Sequence, residues 1–185
     1  MSQPLAIYVS NAAKGNWAQG ILPVKVTNPF KFWPNLNWQK GNINPLLYQE
    51  GGPQYLWVSP TAEPVFTTEF TFIRLWEGSL ESSFTDKLIP FGTYDIIISH
   101  AADDLYSMRL VLNGTHQDPQ GGDISTPSPR PWRNVATFRY QVSLIPSGSF
   151  PTPTLSLFTF AKNIGFKSGT IQNNPGMFTW TMQIF

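Results

Sequence analysis

The sequence predicts an all-β fold: an antiparallel β-sandwich of jelly-roll type or a barrel, with about nine strands, at most one short helix and long Pro/Gly-rich loops. Three observations predict it. Apolar and polar residues alternate with a period of two over most of the chain. The alternating stretches are separated by Gly, Pro and Asn clusters, with 14 Gly and 17 Pro in 185 residues. The alternating strand–helix order that builds a parallel sheet is missing.

The elements follow in order. Leu5–Val9 and Ile21–Thr27 are short strand candidates. Asn28–Pro53, with Pro29, Pro34, Pro45 and Pro53 among Asn and Gln residues, reads as irregular. Gln54–Ser59 is a further short strand. Glu69–Trp76 places Phe70, Phe72 and Trp76 on one side and Thr71, Ile73 and Leu75 on the other. A strand apolar on both faces is expected in the middle of a sheet. Ser79–Leu88 spaces Leu80, Phe84 and Leu88 four apart after Gly78-Ser79, which predicts the one short helix. Tyr94–Ser99 is an apolar run broken only by Asp95, and Leu105–Leu112 aligns Tyr106, Met108, Leu110 and Leu112. Asn113–Asn134 reads as a structureless loop of more than twenty residues. Within it, Ser125–Pro131 favours an extended polyproline-like arm. Loops of this length are commonly functional. In Val135–Ile145, Ala136, Phe138, Tyr140, Val142 and Leu144 face one way and Thr137, Arg139, Gln141 and Ser143 the other. Thr154–Lys162 is another strand. In Met177–Phe185, Phe178, Trp180, Met182 and Ile184 oppose Thr179, Thr181 and Gln183. The whole, 1–185, reads as a single β domain with extended loops at 28–53 and 113–134.

Composition narrows the function classes. Phe, Trp and Tyr total 27, whereas Lys, Arg, Asp and Glu total 23. An ordinary soluble domain carries roughly a quarter charged residues; this chain carries 12%. Much of its exterior is therefore expected to be neutral polar or covered by other subunits. With no cysteine there is no disulfide and no Cys-based zinc site. The net charge is +1 and the basic residues are scattered. No direct nucleic-acid binding is expected, since no basic arm is there to neutralise phosphates. Met1-Ser2-Gln3-Pro4-Leu5 lacks a basic stretch leading into an apolar run, so no secretory signal is expected. No apolar run reaches the roughly 20 residues of a spanning helix, and no membrane partner is expected.

Catalytic and metal chemistry find little support. There is no phosphate-binding Gly loop and no Gly-x-Ser-x-Gly elbow. Gly148-Ser149 reads as a turn, and so does the Asn113-Gly114-Thr115 glycosylation sequon. The two histidines, His100 and His116, have no recognisable nucleophile beside them. His100-Ala101-Ala102-Asp103-Asp104 could offer a metal one imidazole and two carboxylates. It reads instead as a polar loop joining Tyr94–Ser99 to Leu105–Leu112. A retaining glycosidase would need two carboxylates about 5 Å apart. Glu69 and Glu77, with Glu63 and Glu81, are the candidates, but none is set among tyrosines on a cleft-facing strand. The chain is expected to be no enzyme and to carry no metal and no cofactor.

The seven tryptophans divide by context. Trp57, Trp76 and Trp180 fall within strands and are expected in the core. Trp17, Trp33, Trp38 and Trp132 fall in predicted loops beside Asn, Lys or Arg, and Trp132 stands between Arg130-Pro131 and Arg133. Trp and Arg concentrate at protein interfaces. Trp17, Trp33, Trp38, Arg130, Trp132, Arg133 and the apolar Phe185 are therefore the candidate partner contacts. The last strand is expected to pair inside a sheet, in its own subunit or in a neighbour's. The alternative is a carbohydrate-binding, lectin-like module that stacks sugars on the loop tryptophans.

In the alternation of Phe70–Trp76, Val135–Ile145 and Met177–Phe185, joined to the long Asn113–Asn134 loop, the chain resembles small β-sandwich structural proteins of tailed-phage particles. These are head decoration or cement proteins and tail-tube or adaptor proteins. The resemblance implies a non-enzymatic virion protein that forms homo-oligomers and docks on other virion structural proteins.

Overall fold

The computed structural model describes residues 4–13, 16–17, 21–27, 53–59, 61, 69–78, 87–88, 91–102, 105–120, 136–145, 148–149, 152–162 and 177–185. Among them are twelve strands and no helix. The strands are β1 (Ala6–Val9), β2 (Asn16–Trp17), β3 (Val24–Lys25), β4 (Leu56–Trp57), β5 (Glu69–Gly78) and β6 (Lys87–Leu88). They continue with β7 (Gly92–Ala102), β8 (Leu105–Leu112), β9 (Thr115–Gln117), β10 (Ala136–Leu144), β11 (Thr154–Lys162) and β12 (Phe178–Ile184).

These strands form two open six-stranded sheets. The first has the order β10-β7-β12-β4-β3, with β1 also paired to β12; the second has β2-β5-β11-β8-β9, with β6 also paired to β5. Every pairing is antiparallel except the two-residue contact of β5 with β6. The molecule is thus an antiparallel sandwich, and the barrel alternative does not hold, because neither sheet closes on itself.

Alternation decides which side chains enter the layer between the sheets. From the first sheet come Tyr8, Ile96, Ile98, Tyr140, Val142, Phe178, Trp180, Met182 and Ile184, all buried. From the second come Phe70, Phe72, Trp76, Met108, Leu110, Leu155 and Leu157. Aromatic rings join the two layers. Trp76 meets Tyr8 edge-on at 5.4 Å and Trp180 at 6.1 Å. Phe72 meets Phe178 at 4.7 Å, and Trp57 meets Phe70 at 5.5 Å. Trp57, Trp76 and Trp180 are core residues, as their strand positions predict.

Four sequence expectations are corrected or narrowed. The predicted helix over Ser79–Leu88 ends in strand: Lys87 and Leu88 pair parallel to β5, while its first eight residues lie outside the described residues. The predicted loop from Asn113 begins as a hairpin. Asn113 and Gly114 both have positive φ, 49° and 78°, and connect β8 to β9. An Asn-Gly pair suits the turn whose twist matches the strands it joins. Gln120 then bridges to Arg139, and residues 121–134 lie outside the described residues. His100, Ala101 and Ala102 are no loop; they extend β7 by three residues. Trp17 stands in an edge strand, not a loop. The irregular stretch 28–52 lies outside the described residues.

Candidate association surface

The outer face of the first sheet is built by the odd-numbered residues of β1, β7, β10 and β12. Register sets them in rows: Val9, Thr181, Ser99 and Thr137, then Ile7, Gln183, Ile97 and Arg139. Hydroxyls pair across strands on this face. Ser99 Oγ and Thr137 Oγ1 are 2.9 Å apart, and Thr93 Oγ1 and Ser143 Oγ are 3.0 Å apart. Such pairs fix strand partners without adding charge. The described charges on this face are Asp95 and Arg139, which form an ion pair with each other. Val9, Ile7, Ser99 and Thr181 are buried on this face, so what it presents is exposed Thr93, Thr137, Gln141 and Ser143 with partly exposed Ile97 and Gln183.

Phe185 belongs to this face. Its N–H donates to Asp95 O at 2.8 Å, and Asp95 N–H donates to Phe185 O at 3.2 Å. The last strand therefore pairs within its own subunit, and the Phe185 side chain remains half-buried. Leu5 stands exposed on the same face, where its N–H donates to Ile184 O at 2.7 Å.

The mutual bonds of Asp95 and Phe185 also fix the direction of every backbone group in this sheet. Odd residues of β7 aim their N–H and C=O at β12; even residues aim theirs at β10. On β10 the even residues therefore turn to β7. The odd ones, Thr137, Arg139, Gln141 and Ser143, turn to the open edge. Gln120 N–H donates to Arg139 O at 2.7 Å from that side. Among the described residues it is the one backbone group that joins this edge.

The outer face of the second sheet also carries apolar side chains, together with the charged Arg109 and Lys162. Phe158 and Phe160 stack at 6.2 Å, half-buried, beside Ile73, Leu75 and Val111, and Arg109 lies over the Phe160 ring at 5.4 Å. The sequence reading did not single out this pair. The available signal was Leu155, Leu157, Phe158 and Phe160 falling on both faces of one strand.

Trp17 points inward. It faces Arg74 across β2 and β5. Its Nε1 donates to Asn11 O at 3.1 Å, and the ring packs against the core. Arg74, 1% exposed, lies 5.9 Å from the Trp17 ring and 5.3 Å from that of Trp76. The guanidinium is thus held by aromatic faces inside the sandwich. Sequence alternation placed Arg74 with Phe72 and Trp76 but gave no reason to expect a cation there. Trp33, Trp38, Arg130, Trp132 and Arg133 lie outside the described residues, so the structure brings Trp17 and Phe185 into view and not the other five.

Of the candidate chemistry, His100 is 6% exposed on the inward face of β7, stacked at 5.4 Å on Phe138. Burial pushes its pKa down to about 3. Asp103 and Asp104 lie outside the described residues, and no group of three potential metal ligands occurs among those described. Glu69 and Glu77 begin and nearly end the same ten-residue strand. A rise of about 3.3 Å per residue separates them by about 26 Å along β5, too far to act as one carboxylate pair. Among the described residues no helix is long and apolar enough to cross a membrane. No protein-family model matches the chain, and no curated protein or solved structure shows significant similarity to it.

Proposed function

We propose that this chain is a non-enzymatic structural or assembly protein of a virus particle, a bacteriophage head decoration, cement or tail component. It forms homo-oligomers and docks on neighbouring virion subunits. The observation that supports this reading most is the exterior of the first sheet. Its exposed part carries the neutral Thr93, Thr137, Gln141 and Ser143, with partly exposed Ile97 and Phe185, exposed Leu5 and one self-neutralised ion pair. Interface centres are depleted in charge in this way. A solitary soluble domain instead relies on abundant mixed charge to stay apart from its copies. The particle type rests on the resemblance in strand pattern to tailed-phage structural proteins.

Light scattering coupled to size-exclusion chromatography tests the assembly. The expected result is a mass that is a multiple of 20.8 kDa. It should change little between low and high salt, because screening acts on charges and few are involved. A single 20.8 kDa species at high concentration would overturn the reading.

A further inference from the structure

We infer that the open edge of β10, from Gln141 to Ile145, is the seam along which two copies of this chain join, antiparallel about a twofold axis through Ser143. The inference deepens the assembly reading and rests on it.

Among the described residues six strands are paired on one side only, and five of them, β1, β2, β3, β6 and β9, are two to four residues long. β10 has nine. Proteins blunt such edges by shortness, bulges, proline or charge. β10 uses none of these over Gln141–Ile145. Its register against β7 runs without a bulge from Ala136 opposite His100 to Leu144 opposite Gly92. Its one charge, Arg139, is engaged with Asp95.

Gln120 shows that this edge accepts an antiparallel neighbour, and its bond ends at Arg139. Beyond it, Gln141 and Ser143 are exposed, with backbone groups aimed away from β7. Only an extended polypeptide offers the alternating donors and acceptors that match such an edge.

The composition of the segment favours a second copy as the occupant. In a twofold pairing about Ser143, that serine meets its own equivalent, and Gln141 meets the partner's Ile145. No charge is opposed to a like charge. The net charge of +1 adds little long-range repulsion. One step past the Gly92–Leu144 pair, Phe91 and Ile145 stand opposite each other, 37% and 58% exposed. The twofold pairing lays this apolar pair against the neighbouring copy. The result is one sheet continuous through both subunits.

The test uses the full chain and its Ser143→Lys and Ser143→Glu variants, alone and mixed one to one, by sedimentation and light scattering. Each variant alone should self-associate at least about tenfold more weakly than wild type, because like charges then face each other across the axis. The mixture should recover the wild-type mass. Unchanged assembly in both variants would overturn the seam and leave the assembly reading standing. A mixture that stays dissociated would overturn the twofold register. A wild type that is monomeric throughout would overturn both. Circular dichroism confirms the fold of each variant. Gln141→Pro serves as a second probe, removing an N–H that already points away from β7; full association in that variant also counts against the seam.

Discussion

Ser10 shows how much one small side chain can hold. It is fully buried where β1 ends and β4 begins beside β12. Its Oγ donates to Gln54 O at 2.7 Å and accepts from Trp180 N–H at 3.2 Å. Thr179 Oγ1 lies 3.0 Å away. Its own N–H donates to Trp180 O, and its carbonyl accepts from Gln54 N–H. Ser10→Ala removes only the hydroxyl but leaves its partners on β12 and at Gln54, just before β4, without it. The expected cost is about 1–3 kcal/mol in a urea titration. His100 acts through protons. Its ordinary pKa of 6.5 falls to about 3 in the folded chain because burial disfavours the charged ring. Between these values the unfolded chain binds a proton that the folded chain does not. Stability from this group is therefore complete above pH 6.5 and is lost as pH falls toward 3. The slope is about 1.4 kcal/mol per pH unit. His100→Leu should flatten the stability profile across that window by about one proton; an unchanged slope would refute the burial account.

At the scale of elements, the strands legible in the sequence were those long enough to show a period. β8 and β11 match their predicted bounds, and the predicted strands at Val135–Ile145 and Met177–Phe185 differ from β10 and β12 by one residue at each end. β2, β6 and β9 have two or three residues, too few for any alternation, and exist because a neighbouring strand pairs with them. His100-Ala101-Ala102 looked like a loop because a histidine and two carboxylates surround two small residues. Pairing with Trp180, Thr179 and Phe178 keeps it in strand. The candidate surface was legible only as a lack of charge. Which edge lies open depends on sheet order, and sheet order is set by contacts far apart in the chain. The Asn113-Gly114 turn was readable locally. Asn113 adds a tie to β11 by accepting from Thr154 N–H at 2.8 Å through its Oδ1. A methyl group on Gly114 meets no atom within 4 Å. Any loss in Gly114→Ala therefore comes from the positive φ alone, about 1–2 kcal/mol by thermal or chemical unfolding.

For the molecule as a whole, the excess of aromatic over charged residues resolves into two parts. Tyr8, Trp57, Phe70, Phe72, Trp76, Phe178 and Trp180 lock the two sheets together. Phe91, Phe158, Phe160 and Phe185 remain at least partly exposed on the outside. There, the shortage of charge leaves little to keep copies apart. The place of β12 has a further consequence. It is the last described strand in the chain, yet it lies inside its sheet, with β7 on one side and β1 and β4 on the other. Ser10 meets Thr179 across 169 residues of chain. During synthesis β1, β4 and β7 leave the ribosome long before the strand that unites them. Closing a loop of that length is slow and entropically unfavourable until β12 arrives. Until then the apolar faces of β1 and β7 stand open, which exposes the nascent chain to aggregation.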